Sequence, residues 1–410
     1  MALRDSIQEV RELGLGRTLF RLAWEARLRS GAAIWAAPRI PELDLAGAPD
    51  WLSALPFTDA AAVVHVMHDR IAPASLARLA ALADDAIEGR ILCFGRWVAE
   101  LGRPIDWHLN PIDHTRWDGT QHFSKVLRDV GAQGDVKLAW EAGRFPQAYH
   151  LARAAAFHPD RAGVWTATLD AQIASFLREN PYPLGIHWAS SQEITIRLAA
   201  WLFALSATRG SAHDRAALTD TITGYAWTAG HHLADEIGYA RHAVYNNHLI
   251  AEALGLYLVS RLVPSCHTAR GWAREGLDTL DVEAERQVYR DGAYINLSHN
   301  YHRVILQDYL LAWALRKSEG VTEIPSSWRG AMERSLDFLV AHQNPTDGRL
   351  PNQGANDGSL PRVLSTCDFA DFRPTLQCLS VAVRGERIYA PGPWDEEAAW
   401  LFGAKALDVP

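Results

Sequence analysis

From about residue 121 onward the chain is written almost entirely in helical periods. Apolar residues recur at spacings of three and four, as at Leu198, Trp201, Leu202 and Leu205, and the separators are short and carry Pro, Gly, Asn or Asp. The spacing predicts helices over 121–130, 135–157 (interrupted at Pro146), 161–179, 190–208, 213–236, 247–262, 267–288, 299–318, 327–343, 371–384 and 395–403. Helices joined by turns this short must run antiparallel to their neighbours. Helical pairs repeated along a chain either stack into a solenoid or close into a toroid, and no fixed-period repeat is present to favour the solenoid. The expected fold class is therefore all-α, an incomplete (α/α) toroid of antiparallel helical hairpins.

The stretch before residue 121 reads differently. Residues 3–30 carry a helical period, Pro38, Pro41 and the acidic run to Pro56 break it, and 73–89 form a helix with Pro at its start and Gly at its end. ILCFGRWV (91–98) reads as a short strand, and 103–121, rich in Pro, Asp, His and Trp, shows no helical period. The expected organisation is an N-terminal helical segment (1–90), a connector packed on the toroid (91–120) and the toroid itself (121–410).

Composition narrows the function. The 410 residues carry a net charge of -8, so there is no nucleic-acid footprint, and an anionic ligand would need locally placed Arg, His and amide groups. Cys93, Cys266, Cys367 and Cys378 form neither a CxxC nor a disulfide framework. The charged N-terminus lacks the apolar core of a signal peptide, and no run is long enough to span a membrane, which together predict a cytoplasmic protein. The amphipathic, basic stretch 13–37 is expected to pack on the main domain. Sixteen tryptophans fit either bulk filling of a helical core or a cleft that stacks on sugar rings.

Two short stretches concentrate chemistry at expected helix starts. In Tyr245-Asn246-Asn247-His248, Asn246 is placed to cap the helix that follows. Asn247 and His248 then sit among unsatisfied backbone N–H groups at the positive end of the helix dipole, which favours a bound carboxylate and a neutral imidazole able to accept a proton. In Ser298-His299-Asn300-Tyr301-His302-Arg303, Ser298 is the candidate cap, and the helix N-terminus lowers the cost of a Tyr301 phenolate. His299 and His302 are placed to orient the phenol; alternatively Tyr301 is a core aromatic. In Trp188-Ala-Ser-Ser-Gln192-Glu193, Ser190 and Glu193 have capping-box spacing, and Glu193 and Arg197 stand four apart as an ion pair would. Gln192 has no structural task. The Gly- and Asn-rich loop 344–361 is long enough to be functional, though it lacks calcium-loop spacing.

There is no nucleophile elbow, phosphate-binding loop, dinucleotide fingerprint or HExxH, and neither a metal nor a cofactor is expected. Amide, neutral imidazole, phenol and helix N-terminus suit the removal of a proton alpha to a carboxylate. In a uronic-acid polysaccharide that reaction is β-elimination. The same parts would serve a C5 uronyl epimerase. A glycoside hydrolase would instead need opposed carboxylates, for which Glu193 and Asp357 are the candidates. A non-catalytic polysaccharide-binding toroid is the remaining alternative.

At these residues the chain resembles the heparinase II/III-like polysaccharide lyases. The resemblance rests on Trp188, Glu193 and Arg197, then YNNHLIAEALGLY (245–257), DGAYINLSHNYHR (291–303) and LPNQGANDGS (350–359), in that order. It implies a toroidal lyase domain acting on an anionic polysaccharide. Asn247 would help neutralise the uronate carboxylate, His248 would assist there or act as base, and Tyr301 would be the acid, or acid and base both. Gln192, Glu193, Arg241, Asn246, His299, Arg303 and Asn356 are the expected substrate-binding residues. Such lyases usually continue into a β-sandwich, whereas this sequence reaches Pro410 just after its last helix, so either the sequence is truncated or it is a toroid-only member.

Overall fold

The structure, a computed structural model, describes residues 14–35, 39–45, 50–57, 59–126, 134–211 and 215–410. The helical readings at residues 3–13, 127–130 and 213–214 lie outside the described residues.

The chain opens with α1 (Leu15–Arg29), α2 (Ala32–Trp35), α3 (Trp51–Ala54), α4 (Ala60–Met67) and α5 (Pro73–Ile87). A hairpin of β1 (Arg90–Cys93) and β2 (Trp97–Glu100) follows, then α6 (Phe123–Val126) and α7 (Lys137–Gly143). The long helices are α8 (Pro146–Phe157), α9 (Ala162–Glu179), α10 (Ser191–Ala207), α11 (Ala216–Tyr239), α12 (Asn247–Ser260), α13 (His267–Gln287), α14 (His299–Ser318), α15 (Ser326–His342), α16 (Arg373–Arg384) and α17 (Glu396–Phe402). The all-α expectation holds. Pro146 starts α8 at its first turn, where its missing N–H costs nothing, and Phe145 makes the break in the left-handed region at φ 61°.

Two readings are corrected. The single strand over 91–98 is an antiparallel hairpin pairing Arg90 with Glu100 and Cys93 with Trp97, reversed at Phe94 (φ 52°) and Gly95 (φ 67°). Eight apolar-rich residues concealed a turn that needs positive φ at two positions. Helices α3 and α4 were not anticipated. Their N-caps, Asp50 accepting from the Ser53 N–H and Asp59 from the Ala62 N–H, are local; α3 is a single turn, too short to show a period, and α4 carries its apolar stripe (Ala60, Val63, Val64, Met67) over only two turns.

The helices lie in two layers. Helices α8, α10, α12, α14 and α16 each pack on the next, and α17 returns to α14 and α4, which rests on α8. Helix α9 packs on α8, α11 on α10 and α12, α13 on α12, and α15 on α14 and α16. The inner layer is buried nearly all round: every residue of α10 is buried, whereas α9, α11, α13 and α15 bury one face. This alternation of buried and amphipathic helices is the packing that a toroid of hairpins requires. One continuous apolar core runs from Trp51 to Leu407 and takes in the β-hairpin. Trp107, Trp165, Trp188, Trp201 and Trp328 are wholly buried, which places much of the tryptophan in the core. Among the described residues no helix is long and apolar enough to cross a membrane.

Candidate active site

The N-termini of α12 and α14 carry the two chemistry-bearing stretches, and both caps form as the sequence indicates. The Asn246 Oδ1 accepts from the His248 N–H at 3.1 Å, and the Ser298 Oγ accepts from the Tyr301 N–H at 3.1 Å. Before α12, one π-helical turn (Ala240–Val244) ends at Tyr245, whose backbone is left-handed at φ 66°. That conformation is rare for a bulky residue and sets the direction in which Asn246 and Asn247 enter the helix.

Asn247 is buried, and its Nδ2 donates to the Oε1 of buried Gln192 at 2.6 Å. Each amide retains N–H groups beyond that bond. His248 is partly buried, and its ring makes no hydrogen bond with a described residue. Burial pushes its imidazole below the usual value, with Arg144 and Lys137 pulling the same way and Glu193 and Asp357 opposing. The shift runs in the direction expected of a neutral imidazole, with loss of hydration as its largest cause.

Tyr301 is also partly buried, and its hydroxyl donates to Asp357 Oδ2 at 2.8 Å. The same carboxylate oxygen receives Lys137 Nζ at 3.1 Å. Burial, then the Asp357 charge, push the phenol well above its ordinary value. The easily formed phenolate expected at a helix N-terminus is therefore not favoured here: burial first, and then a carboxylate at hydrogen-bond distance, oppose it. Burial alone would raise Asp357, but the hydrogen bonds from Tyr301 and Lys137 hold it below the usual carboxylate range.

The charged groups that bear on His248 are Glu193, Arg144, Lys137 and Asp357, and three of these also bear on Tyr301. The imidazole, the phenol and the charged cluster therefore share one electrostatic environment. At its centre is Arg144. Its Nε and Nη2 donate to the two oxygens of Glu193 at 2.6 and 2.7 Å, and Nη1 to Glu141 at 2.7 Å and the Ser359 hydroxyl at 2.9 Å. Glu141 in turn accepts from the Phe94 N–H in the β-hairpin turn.

Several expected site residues have other work. Glu193 pairs with Arg144, not with Arg197, whose guanidinium donates to the Gly143 carbonyl and the Tyr225 hydroxyl; Ser190 forms no side-chain cap. Both oxygens of Glu193 thereby bond the Arg144 guanidinium, and the side chain is buried. Ser298, His299 and Asn300 fasten the loop after α15 over the start of α14. Ser298 Oγ donates to the Ala355 carbonyl, His299 Nδ1 bonds the Pro351 carbonyl at 2.8 Å, and Asn300 Nδ2 donates to the Ser359 carbonyl. His302 is buried and stacks on Tyr294, so neither histidine orients the phenol; Asp357 does. Arg303 is buried between Phe369 and Phe372 and donates to the Phe369 carbonyl and Asn300 Oδ1. Asn356 is exposed and donates to Asn352. Arg241 lies in a groove outside the cluster, 3.2 Å from Glu275.

Sequence reasoning missed Lys137, Glu141 and Arg144. Their spacing of four and three puts Lys137, Glu141 and the C-cap residue Arg144 on one side of α7, a signal present in KLAWEAGR but without meaning until Glu193 and Asp357 are known to face it.

A family model described as the heparinase II/III N-terminus matches residues 93–361, more than half of the chain and the whole of this cluster. The chain belongs to the heparinase II/III N-terminus family. Among curated relatives it is similar to a heparin-sulfate lyase of Bacteroides stercoris, 25% identical over 133 residues, covering 28% of this chain and 20% of that protein. A heparin-sulfate lyase of Pedobacter heparinus is 27% identical over 116 residues, covering 28% of this chain and 18% of that one. The matches thus span about a fifth of these relatives' length. Among solved structures, heparinase III superposes with a TM-score of 0.51 over 93% of this chain and 53% of its own, at 16% identity. At that identity the likeness speaks for the fold, and it agrees with the helical architecture described above.

Proposed function

We propose that this chain is the helical catalytic part of a polysaccharide lyase that cleaves uronic-acid-containing chains by β-elimination. The observation that carries this reading is a neutral-leaning imidazole, His248, and a protonated phenol, Tyr301, in one charged environment beside the buried Asn247–Gln192 amide pair. The family's curated relatives, named as heparin-sulfate lyases, support the reaction class.

In this mechanism the uronate carboxylate binds at the α12 N-terminus, where the spare N–H groups of Asn247 and Gln192 and the helix dipole spread its charge. That stabilises the carbanion formed when the C5–H bond breaks. His248 takes the C5 proton, the C4–C5 double bond forms and the C4–O bond breaks. The departing oxygen takes the Tyr301 proton, replacing Asp357 as the hydroxyl's acceptor. Imidazolium and phenolate then re-equilibrate through solvent, and Asp357 and Lys137 hold the phenol ready for the next turn. The hydrolase alternative fits less well: Asp357 is held below the ordinary carboxylate range, and both Glu193 oxygens are tied to Arg144, so neither is a ready acid.

The test is ultraviolet absorbance of the unsaturated uronate when the full natural protein is given heparan sulfate, hyaluronate or alginate. At least one polymer is expected to yield the chromophore, and Tyr301→Phe to lower the rate by at least about 10²-fold. Full activity in Tyr301→Phe would remove the phenol from the mechanism. Deuterium uptake from solvent without chain shortening would select the epimerase.

A further inference from the structure

A groove of about 640 Å³ opens beside the turn that leads into α12. Its floor is Tyr245, the residue before the Asn246 cap, and the guanidiniums of Arg17 and Arg286 both lie over that ring, at 4.0 and 3.2 Å from its centre. Two like charges over one aromatic ring repel, and burial together with Arg17 holds the Arg286 guanidinium down to about 10. Arg241 and Arg274 add two more cations to the walls.

The counter-charge is incomplete. Glu283 is committed to Arg286 and Glu275 to Arg241. Asp278 is the remaining carboxylate, whereas Arg17 and Arg274 have no ion pair among the described residues. The groove adjoins the candidate active site: Gln287, one residue beyond Arg286, donates to the Asn246 carbonyl at 3.1 Å. Tyr245 is covered by Arg17 and Arg286 and holds them in place, while the guanidiniums without a carboxylate partner, Arg17 and Arg274, suit the oxyanion of an acidic sugar lying along the groove.

We propose that this groove is a second subsite that takes an anionic sugar of the same polysaccharide, carboxylated or sulfated, away from the bond being cleaved. The polymer's identity as substrate rests on the function proposed above, whereas the groove's affinity for oxyanions does not. Arg241, expected from the sequence to touch substrate, would do so here and not at the scissile bond. Arg17 belongs to α1, so an anion bridging Arg17 and Arg286 would also fasten that helix to the main body.

The full chain carrying Arg17→Ala and Arg274→Ala is compared with the unsubstituted protein and with an Arg17→Lys, Arg274→Lys form that keeps the charge. Calorimetry at several salt concentrations uses two polymers: dextran sulfate, which offers sulfate without uronate, and hyaluronate, which offers carboxylate without sulfate. Circular dichroism confirms that each form is folded. The alanine form is expected to bind about tenfold more weakly to the polymer whose group the groove reads, with its salt slope reduced by about two, one for each lost contact. The lysine form should recover most of that loss. Which polymer responds identifies the oxyanion. Unchanged affinity and slope for both polymers, or no binding of either by the unsubstituted protein, would overturn the subsite. A groove that responds while no uronate polymer yields an unsaturated product would keep the subsite and overturn the lyase.

Discussion

His248 and Tyr301 are shifted in opposite senses by burial, one down and one up, and the proposed elimination needs both shifts. The base must be neutral, so activity is lost as pH falls through the lowered pKa of His248. The acid must be protonated, so activity is lost as pH rises through the raised pKa of Tyr301. The profile of kcat/KM should therefore hold its plateau to below pH ~6.5, the unperturbed histidine value, and past pH ~10 on the alkaline side. Asp357→Asn removes the charge that helps keep the phenol protonated, so the alkaline limb should move to lower pH while the acid limb moves less. An alkaline limb unmoved in that variant would separate Asp357 from the phenol's ionisation. At this scale the sequence was readable where partners are local. Asn246 and Ser298 cap their helices because a cap needs only the next two or three residues. Glu193 was misassigned because its partner, Arg144, lies 49 residues away, a distance at which spacing carries no signal.

The loop after α15 owes its position to the first turn of α14, and Gly354 is where the two come closest. Its φ is +72°, and a Cβ there would stand 2.4 Å from the Leu297 carbonyl oxygen and 2.8 Å from Ser298 Cα. Gly354→Ala should push the loop away and carry Asp357 off the phenol. Stability should fall by more than about 1 kcal/mol, since both the left-handed backbone and the contact resist the new carbon. Calorimetric melting and the unsaturated-product assay check the two effects together. The sequence marked this loop as structured and non-helical but not what holds it, because Ser298 read only as a cap and His299 as a site residue, whereas they and Asn300 also bond the loop. Helix α7 was likewise legible as a helix and silent as a site, its charged face acquiring meaning only from α10 and the loop opposite.

Across the whole molecule, the helical periods after residue 121 gave the fold class because long helices with short turns leave few ways to pack. They could not say which helices are inner. That follows from burial, and α10 shows why the pattern hides it: with every residue buried, its charged members Glu193 and Arg197, four apart, look like an outer face when read alone. One buried pair ties the start of the layered helices to their end, with Arg153 on α8 donating bidentately to Glu396 on α17 at 2.7 and 2.8 Å. Glu396 also accepts from the Thr366 N–H and the Trp400 indole. Glu396→Ala strands a buried guanidinium, and chemical denaturation should show a loss of about 3–5 kcal/mol; a loss below about 1 kcal/mol would mean that water reaches Arg153. How the polymer is cut is read most directly from the mass of the products. With the full protein acting on a uronate polymer in oxygen-18 water, elimination gives new non-reducing ends one water lighter than saturated ones, with no solvent oxygen gained. New ends of saturated mass, with labelled oxygen at the cleaved bond, would mean hydrolysis and would contradict the mechanism built on Asn247, His248 and Tyr301.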